Sequence, residues 1–201
     1  MTIVSQKIAQ YEHDLAEFLT SWNRAETAFR GLLVDLCGKT AGAYILAAGL
    51  GTRSIKEAVL SFAADAMDAE MTSATKHVIE FFDRVLAYRN YYIHGIHLIA
   101  FDNTTQESFS EIQAISSKSR FAVHEERVPS TAIKMARINC ICLEMALQRL
   151  RQCCDPTGHG LTEQQADISV FREQYPLPEP LSKPRRYLLE NLWQSSSPKE
   201  G

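Results

Sequence analysis

The sequence predicts a mainly α protein: an antiparallel helical bundle with a small β-hairpin insertion at about residues 95–125 and an extended C-terminal arm. Three observations lead there. Apolar residues recur every three or four positions over three long stretches, the spacing of helices that each bury one face. Between the second and third of these stretches the period drops to two, as in half-buried strands. Toward the C-terminus, Pro176, Pro178, Pro180, Pro184 and Pro198 remove backbone donors and favour extended chain over helix.

The first stretch, from Ile3 to Leu36, aligns Ile8, Tyr11, Leu15, Phe18, Trp22, Ala25, Phe29, Leu32 and Leu36 on one face and reads as one long helix or two in line, with Gly38 placed to end it. Ala41 to Ala48 reads as a short helix closed by Gly49-Leu50-Gly51. Ser54 with Glu57 three residues on has the form of a capping box and marks the next helix start. The clearest helix spans Ser73 to Tyr92, with Val78, Phe81, Phe82, Val85, Arg89 and Tyr92 in phase, and Gly95 places its end near His94. The period-two segments Gly95–Phe101, Ser108–Ile115 and Ser119–His124, with a polar turn from Asp102, read as two or three short antiparallel strands. Pro129-Ser130 opens a last strong helix through Ile133, Ala136, Cys140, Leu143, Leu147 and Leu150, stopped at Asp155-Pro156-Thr157-Gly158. Within the arm, Tyr187 to Trp193 reads as a short docking helix. The resulting organisation is a helical domain with a β insertion over 1–154 and a proline-rich arm over 155–201.

A chain of 201 residues with 45% apolar composition can bury one ordinary core. Its net charge of −3 supplies no overall attraction to nucleic acid, so RNA contact requires a local cationic site. The N-terminal segment is amphipathic and carries acidic residues, unlike a signal peptide, and the longest charge-free run, Thr40 to Thr52, is too short to span a bilayer. These features predict a cytoplasmic chain with no membrane partner. The five cysteines are odd in number and lack the paired spacing of a zinc site, so they read as reduced, buried apolar groups. No metal or cofactor is expected. Gly49-Leu50-Gly51-Thr52-Arg53 lacks the lysine of a phosphate-binding loop. His77, Glu80 and Arg84 read as a solvated edge cluster, and Lys183-Pro184-Arg185-Arg186 as a solvated basic tail.

The anomaly lies in Tyr88-Arg89-Asn90-Tyr91-Tyr92-Ile93-His94. At about 100° per residue, Arg89 falls about 20° from Val78, on the apolar stripe, whereas Arg89 and His94 stand about 140° apart on an ideal helix. Two readings of Arg89 stand at this level: a buried ion pair with Glu26 or Glu80, or a functional cation. His94 is either a cation capping the helix C-terminus or a proton carrier. Tyr91 and Tyr92 are core or interface aromatics, or platforms for a stacked base, and His97 is a strand residue next to the same turn.

This arginine, a polar residue after it, and a histidine beyond four intervening positions, late in a helical bundle and followed by Gly95, resemble the motif of the HEPN superfamily (higher eukaryotes and prokaryotes nucleotide-binding). Trp22-Asn23-Arg24-Ala25-Glu26 and Phe29-Arg30-Gly31-Leu32-Leu33 are similar to that family's long first helix, and in architecture the likeness covers roughly residues 3–154. It implies a metal-independent endoribonuclease of toxin–antitoxin or antiphage type, acting as a homodimer whose paired motifs line one cleft. Arg89 and His94 would be catalytic and Asn90 their polar support, with Tyr91, Tyr92, His97 and Glu26 supporting or touching substrate. RNA and a cognate antitoxin or regulatory protein are the implied partners, and no cofactor is. A non-catalytic HEPN-like binding or dimerisation module is the alternative. On the helical count of 140°, the motif is expected to assemble at a helix end and across two chains.

Overall fold

Helix α4, Ala69–His94, has its stripe buried as its period requires: Val78, Phe81, Phe82 and Val85 are sequestered almost completely. It is one of six helices and four strands in the computed structural model, which describes residues 3–94, 96–102, 104, 107–116, 122–159, 162, 167–181 and 185–188. The remaining helices are α1 (Ile3–Leu36), α2 (Ala41–Gly49), α3 (Thr52–Ala66), α5 (Ser130–Cys154) and α6 (Phe171–Gln174). The strands are β1 (Ile96–Asp102), β2 (Glu107–Ser116), β3 (Ala122–Pro129) and β4 (Arg185–Leu188). The protein is therefore mainly α with a small antiparallel sheet, as its periodicities predict. Among the described residues, no helix is long and apolar enough to cross a membrane.

The described residues fall into two compact units. One draws on Thr20–Leu86 and Arg137–Glu179, so it takes the C-terminal half of α1, most of α4 and most of α5. Its aromatic centre is Phe82, with ring centroids 5.1 Å from Trp22 and 4.4 Å from Phe29. Ile55, Val59 and Ala63 of α3 recur every four residues and are buried, as are Cys140, Leu143, Leu147 and Leu150 of α5. Helix α1 ends where Gly38 adopts φ +76°, a left-handed conformation glycine takes without a Cβ penalty. Thr40 caps α2 by accepting from the Ala43 amide at 3.2 Å, and Arg30 donates to the Ala47 and Leu50 carbonyls, placing a cation at that helix's C-terminal end. Gly31 leaves room for the Arg151 guanidinium, which would lie 2.7 Å from a Cβ there.

Two starts differ from expectation. Helix α3 begins at Thr52 behind an extended Gly51, which puts Ser54 inside the first turn, where it caps nothing; Glu57 instead meets Arg53 at 2.9 Å. Helix α4 begins at Ala69, before its stripe does, because Asp68 Oδ1 accepts from the Met71 amide at 2.8 Å.

The other unit draws on the described residues of Met1–Leu19, Ala87–Ala136 and Pro180–Gly201. Its sheet has the order β1-β2-β3-β4, every neighbour antiparallel. The insertion is thus larger than a hairpin: β3 runs to Pro129, directly before α5, and the arm adds β4 against residues 122–125. Tyr187 and Leu188, expected in a docking helix, lie in β4, as do Arg185 and Arg186 of the supposed solvated tail. Residues 189–193 of that expected helix, and Lys183, Pro184 and Gly95, lie outside the described residues. Tyr11, Phe18, Tyr92, Val128 and Ile133 are buried in this unit, with the Tyr92 ring edge-on to Phe18 at 5.9 Å. Asp14 is only 6% exposed and is held by Gln10 at 3.0 Å, by the Ser130 hydroxyl at 2.8 Å and by Lys134 at 3.5 Å. Its charge sits at the first turn of α5, where the helix dipole favours an anion.

The five cysteines are free, with Cys140 and Cys153 buried. Burial pushes the thiols of Cys140 and Cys154 up to about 12, and burial, with Asp14 nearby, pushes the Tyr11 hydroxyl up to about 12 from 10.0.

Two outcomes are expected. Phe82→Ala removes the ring shared by Trp22 and Phe29 and lowers unfolding free energy by about 3–5 kcal/mol, read by urea denaturation. Stability is also expected to fall above pH 9, because the unfolded chain ionises first while the folded chain keeps Cys140, Cys154 and Tyr11 neutral until about pH 12. The Tyr11 share is complete below pH 10 and amounts to roughly 2–3 kcal/mol. Tyr11→Phe should flatten the stability profile between pH 10 and 12, and an unchanged slope there would contradict this assignment.

Candidate functional site

The last turn of α4 carries three polar groups that the sequence places together and one contact that it does not. Arg89 is half-buried, while Asn90 and His94 are exposed. A single nitrogen of the guanidinium, Nη1, donates to Asn90 Oδ1 at 3.2 Å and meets His94 Nε2 at 2.5 Å. A guanidinium has donors and no acceptor. His94 Nε2 must therefore accept through its lone pair, so the ring is neutral and carries its proton on Nδ1. Arg89 Nε is buried without a hydrogen-bond partner among the described residues.

The roughly 140° offset does not keep arginine and histidine apart within one chain. The 140° offset separates Cα directions, and five residues rise only about 7.5 Å along the axis. An arginine side chain with four rotatable bonds covers that distance, so the contact closes within one helix end.

The expected ion pairs are also replaced. Glu26 is bound by Arg30 of its own helix at 3.1 Å, and Glu80 by Arg84 at 2.6 Å. Neither acid is the partner of Arg89, whose described hydrogen bonds end on an amide oxygen and a neutral imidazole. A partly desolvated cation is thus held by uncharged groups, an arrangement that leaves it open to an anion.

Tyr91 and Tyr92 are 8% and 4% exposed, their rings 5.6 Å apart, and Tyr92 also lies 5.9 Å from Tyr88. They are core residues that anchor the helix end, and their faces are not available to a base. His97 lies in β1 opposite Ile112.

His77 and Arg84, read from sequence as a solvated edge, have a structural task. His77 Nε2 donates to the Tyr175 carbonyl at 2.7 Å, and Arg84 Nη1 donates to the Pro178 carbonyl at 2.6 Å. Phe171 is buried, 5.0 Å from the Tyr175 ring and 6.3 Å from His77. The spacing of His77, Glu80 and Arg84 on one face was visible in the sequence; their backbone acceptors nearly a hundred positions away were not.

Cavities of about 300, 320 and 380 Å³ lie in the unit built on Thr20–Leu86 and Arg137–Glu179, and none of the three is lined by Arg89, Asn90 or His94. Asn90 and His94 are exposed, so the polar cluster reaches the surface. Among the described residues, no group of three or more His, Cys, Asp or Glu side chains is placed to hold a metal ion.

His77→Ala is expected to release the Tyr175 carbonyl and speed chymotryptic cleavage after Phe171 severalfold at native conditions. Cleavage at the wild-type rate would show that this bond does not hold the segment. Compared with protein-family models, curated proteins and solved structures, the chain matches none, so its chemistry is read from the residues themselves.

Proposed function

We propose that the chain is a HEPN-like, metal-independent endoribonuclease of toxin or antiphage type, acting through Arg89, Asn90 and His94. The observation that carries this reading is the half-buried Arg89 guanidinium held only by uncharged described partners, with one donor unpaired among the described residues. A phosphodiester supplies what those partners lack: negative charge, and two non-bridging oxygens that a planar guanidinium fork can meet together. The open setting suits a polymer backbone lying across the site better than a small molecule enclosed in a pocket.

The chemistry follows from these groups. The RNA 2′-hydroxyl is the nucleophile. His94 Nε2 takes its proton as the O2′–P bond forms, and Arg89 bears against the non-bridging oxygens as their charge grows. The P–O5′ bond breaks, leaving a 2′,3′-cyclic phosphate, and the 5′ oxygen departs with a proton. In a homodimer whose two helix ends share one cleft, the second imidazole, once it has taken up a proton from solvent at Nε2, is the source of that proton. RNA is the substrate, a cognate antitoxin or regulatory protein the controlling partner, and the cytoplasm the setting. The net charge of −3 confines RNA attraction to such local cations and makes binding salt-sensitive.

One observation favours a second reading, a non-catalytic HEPN-like binding or dimerisation module: His94 Nε2 is already occupied in the resting chain. Cleavage separates the two. Purified protein incubated with mixed-sequence RNA, with and without chelator, is expected to cut it in both conditions. Arg89→Ala and His94→Ala, with unchanged circular dichroism, should each lose at least about 100-fold in rate. Intact RNA after incubation with the wild-type chain would sink the enzyme reading and leave the binding module.

A further inference from the structure

We infer that Arg89 is a latch on His94: in the resting chain the guanidinium occupies the imidazole's accepting nitrogen, and an oxyanion that draws the guanidinium away frees it. The inference deepens the proposed site and rests on reading the pair as a phosphodiester-binding cluster.

The geometry sets the terms. Nη1 has two hydrogens, and Asn90 Oδ1 at 3.2 Å and His94 Nε2 at 2.5 Å use both. A base needs a free lone pair. In the latched arrangement Nε2 has given its lone pair to arginine and Nδ1 carries the ring proton, so His94 can accept a proton from nothing else. The histidine is held, and at the same time switched off.

The latch is also incomplete, which is what allows it to open. Arg89 Nε is buried with no partner among the described residues, so the resting position leaves one donor of a charged group unsatisfied. Both acceptors that hold the guanidinium are neutral. A phosphate oxygen adds charge on the acceptor side, so that ion meets ion, and a second oxygen can meet another donor of the same fork. Arg89 is therefore expected to exchange a neutral nitrogen for an anionic oxygen when phosphate arrives. His94 then becomes a proton acceptor only while the group it acts on is bound.

The test reads the two ring nitrogens directly. Long-range proton–nitrogen correlation spectra of ¹⁵N-labelled protein report which imidazole nitrogen bears a proton, and His94→Gln identifies the His94 signals. In the free chain, Nε2 should be unprotonated and Nδ1 protonated. Saturating inorganic phosphate at constant pH, matched against sodium chloride of equal ionic strength, should move the Nε2 signal downfield, toward that of a free lone-pair nitrogen, without protonating it. Arg89→Gln should do so without phosphate.

A proton on Nε2 in the free wild-type chain overturns the latch, and so does a wild-type Nε2 signal that phosphate fails to move. These wild-type measurements decide even if Arg89→Gln does not fold. RNA cleavage is decided separately. A chain that cuts RNA but fails the nitrogen test keeps its enzyme reading and loses the latch; one that passes without cutting RNA keeps the latch and loses the enzyme.

Discussion

The constraint on which the candidate site depends is the phase of helix α4. Its stripe must be buried, and Val78, Phe81, Phe82 and Val85 are. The same phase, continued about one turn past Val85, delivers Arg89 to a half-buried position. An ordinary surface arginine is solvated and indifferent to its neighbours, whereas this one must find acceptors from the few groups its helix end offers. Asn90 and His94 are those groups. The tyrosines beside them fix the frame, since Tyr92 packs edge-on to Phe18 and cannot turn without opening a core.

Neutral partners make the difference between a structural arginine and a candidate site. Several other arginines pair with acids: Arg151 meets Asp35 at 2.6 Å, Arg30 meets Glu26, and Arg84 meets Glu80, while Arg149 and Arg172 donate to a carbonyl and a hydroxyl. Such pairs neutralise charge locally and leave little to attract an anion. Arg89 departs from this habit. Its described contacts satisfy hydrogen-bonding geometry without cancelling charge, so an arriving phosphate meets no carboxylate that must first be displaced from it.

Much of the fold was legible because helices announce themselves through local period. The stripes through Tyr11 to Leu32, Leu15 excepted, and through Ile133 to Leu150 are buried as read, and the switch to period two after Gly95 locates the sheet. What escaped was non-local or depended on side-chain reach. The pairing of β4 with residues 122–125 joins segments some sixty positions apart, and four residues carry too short a pattern to identify a strand. The start of α4 at Ala69 precedes its first stripe residue and is set by Asp68, a cap that periodicity does not count. In place of the expected partnership with Arg89, Glu26 is bound by Arg30, four residues along the same helix.

The pair at the centre of the site shows the same limit at its sharpest. Counting degrees around a helix places Arg89 on the apolar stripe correctly, because burial acts on the Cα–Cβ direction. It misplaces the relation of Arg89 to His94, because chemistry acts at the end of the side chain, and a guanidinium can lie along the helix for more than a turn. Angular arguments therefore identify which residues are desolvated far better than which functional groups touch. For a short residue such as Asn90 the two nearly coincide. For arginine they separate, and the contact that places His94 in its neutral, Nδ1-protonated form is legible only once the side chain has a conformation.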